Sequence, residues 1–501
     1  MTWESISRDD ILRWSTEAVD SDGVLPELIA RLIVETGEEV VFLDAPAGTG
    51  VSTGGFDLVV EAHGESLYVP KGVSVWEVSV QTGAHGKAES DYLKRTDGPL
   101  GMLRKDVHYR AVSTQKWTKR KEFDKHTTDG IWKSVRGLNV ESLVSWLAIA
   151  PGTSAWMRSV MGIPVVGQIH WSAWWKRWLE STNVSLDATV LLAGREELVD
   201  QIADLSASPG VTSVGGDGLQ WEAAVATFAA VAQRALDNDP FSALPARLVI
   251  FEQEAAFVAA LSSGRPLVAL TPNASWLAAI PDNSLAHVFV LTHPAHMSTL
   301  EIPATDSEGA AKALETQGVE FHRAYELGYL ARRDITTLRR ELAIQPALFT
   351  PSWAARDLDA RERRLALVAR WSTEFEGDLR FVAALLGGDA ADASETWSSI
   401  LKNEGRPTAE FEAHRYLVSP TDTWRLLSHS ITDEDLALFE SEVATVLGTA
   451  NPLAELDGAE RIRAQIQGVG PQHSRDIADG IGVVLALMGA DEDVAGTATK
   501  N

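Results

Sequence analysis

The chain has 501 residues, 45% hydrophobic and 23% charged, which is enough for about three ordinary globular domains. Its 70 acidic residues outnumber 44 basic ones for a net charge of −26, which speaks against a protein that coats nucleic acid with its whole surface. The absence of cysteine excludes disulfides, thiolate zinc sites and a cysteine nucleophile. No apolar run approaches ~18 residues and no basic-then-apolar leader opens the chain, so neither a membrane span nor a secretory signal is expected and a cytoplasmic location is the simplest reading.

In chain order, Leu25 to Ile33 reads as a helix with proline in its first turn and apolar residues at 28, 29, 32 and 33. Val40 to Leu43 is a short strand, and a glycine-rich loop then leads into the strand Phe56 to Glu61. After a turn at His63 to Ser66 comes a strong strand, Val73 to Val80. Gly86 to Thr96 is expected to be helical, Tyr109 to Ser113 a strand, and Asn139 to Trp146 a closing helix. Trp171, Trp174, Trp175 and Trp178 fall on one face of a further helix, a pattern that usually means a core or docking stripe.

From Leu186 the pattern alternates. Candidate strands are Ala188–Ala193, Val211–Val214, Arg247–Phe251, Pro266–Leu270 and His287–Leu291, with helices at Glu196–Leu205 and Trp221–Leu236 between them. Such alternation predicts a largely parallel, doubly wound sheet. Beyond Ile302 strands nearly vanish. Ala310 to Leu342 holds two or three short helices whose spacing is similar to a helix-turn-helix, though a plain helical bracket accounts for it equally well. Amphipathic helices broken at Gly387-Gly388, Gly405-Arg406-Pro407 and Gly468-Val469-Gly470-Pro471 follow.

The residues that point to chemistry are two acids. Asp57 opens a strand, and Glu77 sits in the middle of another that is otherwise apolar. Period-two geometry puts Glu77 on one face with Val73, Val75 and Ser79. A carboxylate there is costly to bury unless it is paired or bound to a cation. If the strands are neighbours, the two acids can converge on one hard divalent ion, with magnesium or manganese suiting oxygen ligands and retained water. The plain alternatives are a turn-stabilising Asp57 and a Glu77 satisfied by a core arginine or by backbone amides.

The order Asp57, then Glu77 on the next long strand, is similar to the PD-(D/E)xK restriction-endonuclease-like pattern. That pattern carries a lysine two residues after the second acid, where this chain has Ser79. Members of the superfamily can hold the lysine on a neighbouring helix, which makes Lys87 the candidate; an i,i+4 pair with Asp91 is its plain alternative. The runs Gly55 to Ala62, Val69 to Glu77, Lys87 to Tyr92 and Lys94-Arg95-Thr96 resemble one subfamily, found at the front of bacterial antiphage-defence proteins that join a nuclease-like domain to a STAND-type NTPase-like region and a helical tail. The resemblance implies a nuclease-like domain over 1–150, a tryptophan-rich helical linker over 151–185 and a degenerate NTPase-like α/β domain over 186–301. A helix-turn-helix-like segment over 302–350 and an all-α domain over 351–501 complete that layout.

It also implies a Mg²⁺- or Mn²⁺-dependent endonuclease acting on DNA, with Asp57 and Glu77 as metal ligands and Asp57, Glu77 and Lys87 as catalytic residues. Twelve cations against five acids between Lys94 and Arg136 fit a phosphate-contacting surface or simply a solvated face; Lys116, Lys119, Arg120 and Lys121 are the candidate DNA contacts. Glu27 is either an accessory acid or a surface residue. The competing expectation is a catalytically inactive nuclease fold serving as a sensor or scaffold, with a protein partner or a second copy of itself; a DNA-binding regulator centred on Arg332 to Arg340 is the third. Ala45 to Ser52 and Val211 to Gly218 have the look of phosphate loops but lack the lysine of a Walker A motif. Val249 to Glu252 is shaped like a Walker B strand end, and His293 with His296 lacks a third ligand.

Overall fold

The structure, a computed structural model, describes residues 6–45, 55–163, 166–216, 219–292, 298–345, 349, 354, 357–400, 407–449, 452–453, 456–458, 460, 463–464 and 470–498. The Walker-like stretch 46–52, the pair Asp217-Gly218, the two histidines His293 and His296, and the breaks at 405–406 and 468–469 lie outside these residues. The chain divides into two compact units: Met1–Leu179 with Asp187–Ala304, and Glu180–Leu186 with Thr305–Asn501. No described helix is long and apolar enough to cross a membrane.

The first unit opens with helix α1 (Arg8–Glu17), capped by a reciprocal Ser7/Asp10 box. Helix α2 (Ser21–Thr36) starts upstream of the expected position, so Pro26 lies inside it. A five-stranded sheet follows in the order β1-β2-β3-β4-β5, formed by Val40–Asp44, Leu58–Ala62, Gly72–Ser79, His108–Ser113 and Ser134–Leu138. The first two pairings are antiparallel and the last two parallel. Alternation along β3 splits its side chains between two cores. Trp76 packs with Leu58, Val60 and α2 on one face, and Val75 packs with Tyr109, Trp132 and the helix α3 (Ala84–Asp97) on the other. Strand β5 was not foreseen from the sequence, because Arg136 and Gly137 interrupt its apolar pattern.

A buried carboxylate ties this layer to the next element. Glu35 of α2 accepts hydrogen bonds from Gly152 N–H (2.8 Å) and Thr153 N–H (2.7 Å), the free donors at the start of the helix Pro151–Val160. The tryptophan helix Trp171–Leu179 buries Trp171, Trp175 and Trp178, and the Trp171 indole donates to the Pro245 carbonyl at 2.7 Å. The stripe is core.

The second sheet runs β11-β7-β10-β9-β8-β6, built from Leu300–Glu301, Gly210–Gly215, Ala286–Leu291, Leu267–Thr271, Leu248–Phe251 and Gln168–His170. All neighbours are parallel except β6, which runs antiparallel to β8. Helices cover both faces: Phe289 meets Phe228 of the helix Trp221–Asn238, while Val288 packs with Phe257 of Glu254–Leu261. The expected strand Ala188–Ala193 is instead a short helix, Ala188–Leu191, because Asp187 caps the amides of Thr189 and Val190. Glu252 lies exposed just past β8.

The second unit contains the helices Ser307–Thr316, Phe321–Arg333 and Ile335–Leu342. The arginines on which a DNA-reading helix would rest are engaged within this unit. Arg339 donates to Ser181 and lies over the Phe349 ring, and Arg340 pairs with Asp422 at 3.0 Å. The remainder was expected to be all helical but carries a small antiparallel sheet, β12-β14-β13 (Arg370–Ser372, His414–Leu417 and Thr408–Phe411). Trp371, Trp397, Phe381 and Leu385 form its core.

Candidate active site

Strands β2 and β3 pair without a bulge, Leu58 opposite Trp76 through to Ala62 opposite Gly72. The same register extended by one residue sets Asp57 opposite Glu77, and directly opposed residues of an antiparallel pair share a face. Both acids therefore belong to the face covered by α3. Asp57 Oδ2 accepts the Val78 N–H at 2.7 Å, which fixes the carboxylate at the strand entry.

Helix α3 lays Lys87, Asp91 and Arg95 over these acids at i, i+4 and i+8, one stripe of a helix. The Arg95 Nε donates to Glu77 Oε1, and its Nη2 donates to the Gly55 carbonyl. Both partners of this ion pair are buried, with side chains 7% and 8% exposed. The Arg95 guanidinium also lies over the Phe56 ring. The Lys87 amine reaches Asp91 at 2.8 Å, the i,i+4 contact expected as its plain alternative.

The group thus brings three carboxylates, those of Asp57, Glu77 and Asp91, against two cations. Burial pushes the Glu77 carboxyl up to about 7, Arg95 opposes the rise, and the negative charges of Asp57 and Asp91 add to it. Asp57 is raised for the same leading reason, burial, with Asp91 adding and Val78 N–H, Arg95 and Lys87 opposing. The Tyr109 hydroxyl beneath them is driven up by burial and by the charge of Glu77. Sequence reading left Arg95 among the surface cations. Its spacing from Lys87 and Asp91, on the helix that follows the Glu77 strand, was the available sign.

Whether this donor set suits a divalent ion turns on which oxygens remain. Glu77 Oε2 and Asp57 Oδ1 accept no hydrogen bond among the described residues. Two hard oxygens on facing strands, within a cluster carrying an excess of negative charge, match the way magnesium is held by one or two carboxylates with water filling the rest of its shell. No described trio of histidine, aspartate or glutamate forms a fuller cage. Ser79 stands where the pattern has lysine; its hydroxyl accepts Gln81 N–H at 3.1 Å.

The basic residues named for DNA contact follow β4, and so leave the sheet at the end toward which Glu77 lies on the parallel β3. Lys116, Lys119 and Lys121 are exposed. Arg120 is not a free cation: it donates to Ser142 at 2.9 Å and lies 3.9 Å from Asp124. Glu27 is paired with Arg31 at 2.9 Å on the surface of α2. Compared with known proteins, the chain matches no family model and no curated protein.

Proposed function

We propose that this chain is a divalent-metal-dependent phosphodiesterase that cuts DNA, in the setting the resemblance implies, a regulated effector of antiphage defence. The observation that carries the reading is the pair of carboxylates on adjacent strands, Asp57 and Glu77, on the sheet face that α3 covers, each with one oxygen that accepts no hydrogen bond among the described residues. A bound magnesium or manganese ion would acidify a water and neutralise charge on the phosphodiester. Asp57 and Glu77 would hold it. Arg95 anchors Glu77 from the interior and so fixes which oxygen faces outward. Lys87 is the cation available to the scissile phosphate, exchanging its Asp91 partner for the substrate. Exposed Lys116, Lys119 and Lys121 would carry the flanking backbone.

The test is nicking of supercoiled plasmid by the full chain with Mn²⁺ or Mg²⁺. Cleavage should disappear in Asp57→Ala and in Glu77→Ala and fall at least tenfold in Lys87→Ala. Full activity in Asp57→Ala would remove the proposal. A second reading, a nuclease fold without catalysis that serves as a sensor or scaffold, draws on the Arg95–Glu77 pair and on Ser79. It predicts no cleavage and no heat of Mn²⁺ binding in the unmodified chain, and measurable Mn²⁺ binding lost in Asp57→Ala argues against it.

A further inference from the structure

On the opposite face of the first sheet, toward the end where β3, β4 and β5 begin, positive charge collects with no carboxylate at ion-pair distance among the described residues. Arg110 pairs across the ladder with Trp76 and with Arg136, so both arginines point to the Trp76 side, away from Glu77. Arg110 is only 6% exposed. Its Nη1 donates to the Tyr109 carbonyl and to Ser134 Oγ, each at 3.1 Å. Its Nε is buried without a hydrogen-bond partner, and Nη2 makes no hydrogen bond among the described residues. No described carboxylate lies within ion-pair distance of it.

The surroundings add to the imbalance. Arg136 donates to the Leu67 carbonyl at 2.9 Å and lies over the Tyr68 ring, also without a described carboxylate partner. The Lys133 amine sits 3.4 Å from where a Cβ on Gly72 would be, at the very start of β3. His108 links the three strands through Ser134 Oγ at 2.7 Å and the Lys71 carbonyl at 3.2 Å. Burial, with Arg110 and Lys133 nearby, pushes this imidazole down to about 4, so it stays neutral and contributes no counter-charge. Burial and Arg136 lower the Arg110 guanidinium as well. The acids nearest in effect, Asp124 and Glu65, act from beyond contact distance.

A buried guanidinium without an anion is among the more costly arrangements a fold can hold. Planar forks of N–H donors match a phosphate group in two-pronged fashion. We infer that Arg110, Arg136 and Lys133 form a binding site for a phosphate group, supplied either as free phosphate or as a nucleic-acid backbone. The inference does not depend on the hydrolase reading, since it concerns the other face of the sheet.

Thermal unfolding of the full chain in a buffer without oxoanions tests it, with inorganic phosphate and a 12-base-pair DNA duplex as the two probes. Phosphate at a hundred times its dissociation constant should raise the folding equilibrium about a hundredfold. A response to the duplex alone that Arg110→Met reduces assigns the site to backbone phosphate, a response to phosphate alone to the free anion, and a response to both to the phosphate group in general. Arg110→Met should lose the response to phosphate and the share of the duplex response that this site carries and, without phosphate, unfold at the same temperature as the unmodified chain or a higher one. Arg136→Met, at an exposed position, should weaken the response, and Asp57→Ala should leave it intact. No response to either probe, or an Arg110→Met variant that is destabilised, fails to fold or responds to the probes as the unmodified chain does, overturns the inference.

Discussion

Replacing Glu77 by glutamine isolates the electrostatic cost concentrated at the candidate site. The Glu77 carboxyl stands at about 7 in the fold against 4.5 for the ordinary side chain, because it is buried beside Asp57 and Asp91. At about 1.4 kcal/mol per pH unit this difference amounts to roughly 3 kcal/mol. The sign follows from proton binding. The folded chain holds the Glu77 proton more tightly than the unfolded chain, so the stabilisation is complete below 4.5 and is lost as pH rises through about 7. Glutamine does not titrate, so the stability of Glu77→Gln relative to the unmodified chain should climb by about 3 kcal/mol between pH 4.5 and 8. Glu35, also raised to about 7 by burial, imposes the same slope on both proteins and cancels. Urea unfolding at half-unit pH steps measures the difference. A gap that stays constant across that range would refute the reasoning. If the hydrolase proposal holds, Mg²⁺ at pH 8 stabilises the unmodified chain and leaves Glu77→Gln unchanged.

Arg95→Met strands the Glu77 carboxylate in the interior and should lower stability by about 3–5 kcal/mol, most of it restored when Glu77→Gln is added; simple additivity in that double-mutant cycle would contradict the pairing. Asp435, with no exposed surface, accepts from Arg363, Arg364 and Thr432, so Asp435→Ala should cost about 3–5 kcal/mol in urea at pH 7. Burial pushes this carboxyl up, but the hydrogen bonds from Arg363, Thr432 and Arg364 outweigh it and hold it well below the usual range. The penalty should accordingly shrink as pH falls below 3.8, and a penalty that is flat in acid would count against this assignment. In Gly152→Ala the new Cβ would lie 2.1 Å from the Ala246 carbonyl oxygen, a backbone atom with little freedom to yield. A loss of at least about 1–3 kcal/mol is expected, with faster hydrogen exchange at Thr153, and an unchanged melting temperature would show that the helix start can shift.

What the sequence makes legible here depends on how local the cause is. The strand Gly72–Ser79 can be read directly, because a run of alternating valines around one glutamate has few other solutions, and the helix over Lys87 to Arg95 is equally plain. Ala188 to Ala193 misled, since a short apolar run suits a strand or a buried helix and the decision fell to the Asp187 cap. Strands of three or four residues such as Arg370–Ser372 carry almost no periodic signal, and its partner lies more than forty residues downstream. The destination of Glu77 was visible only in outline. That a core arginine would meet it could be stated as a possibility, but the identity of Arg95 required knowing how α3 crosses the sheet, a tertiary fact that spacing alone does not contain. Arg110 was hidden for the same reason: it sits in a basic stretch that fits a phosphate-contacting surface or a solvated face, and its burial is settled only by the tertiary fold.

The unbulged pairing of β2 with β3 has a consequence for how this region can change over time. Side-chain direction alternates residue by residue, so lengthening β2 by a single position would turn Asp57 toward the α2 layer while Glu77 stayed beneath α3. Two added positions would bring them back to a common side. Tolerance to length variation in this hairpin should thus follow evenness rather than size, and variation in the connecting turn, which leaves the ladder untouched, should be free of that rule.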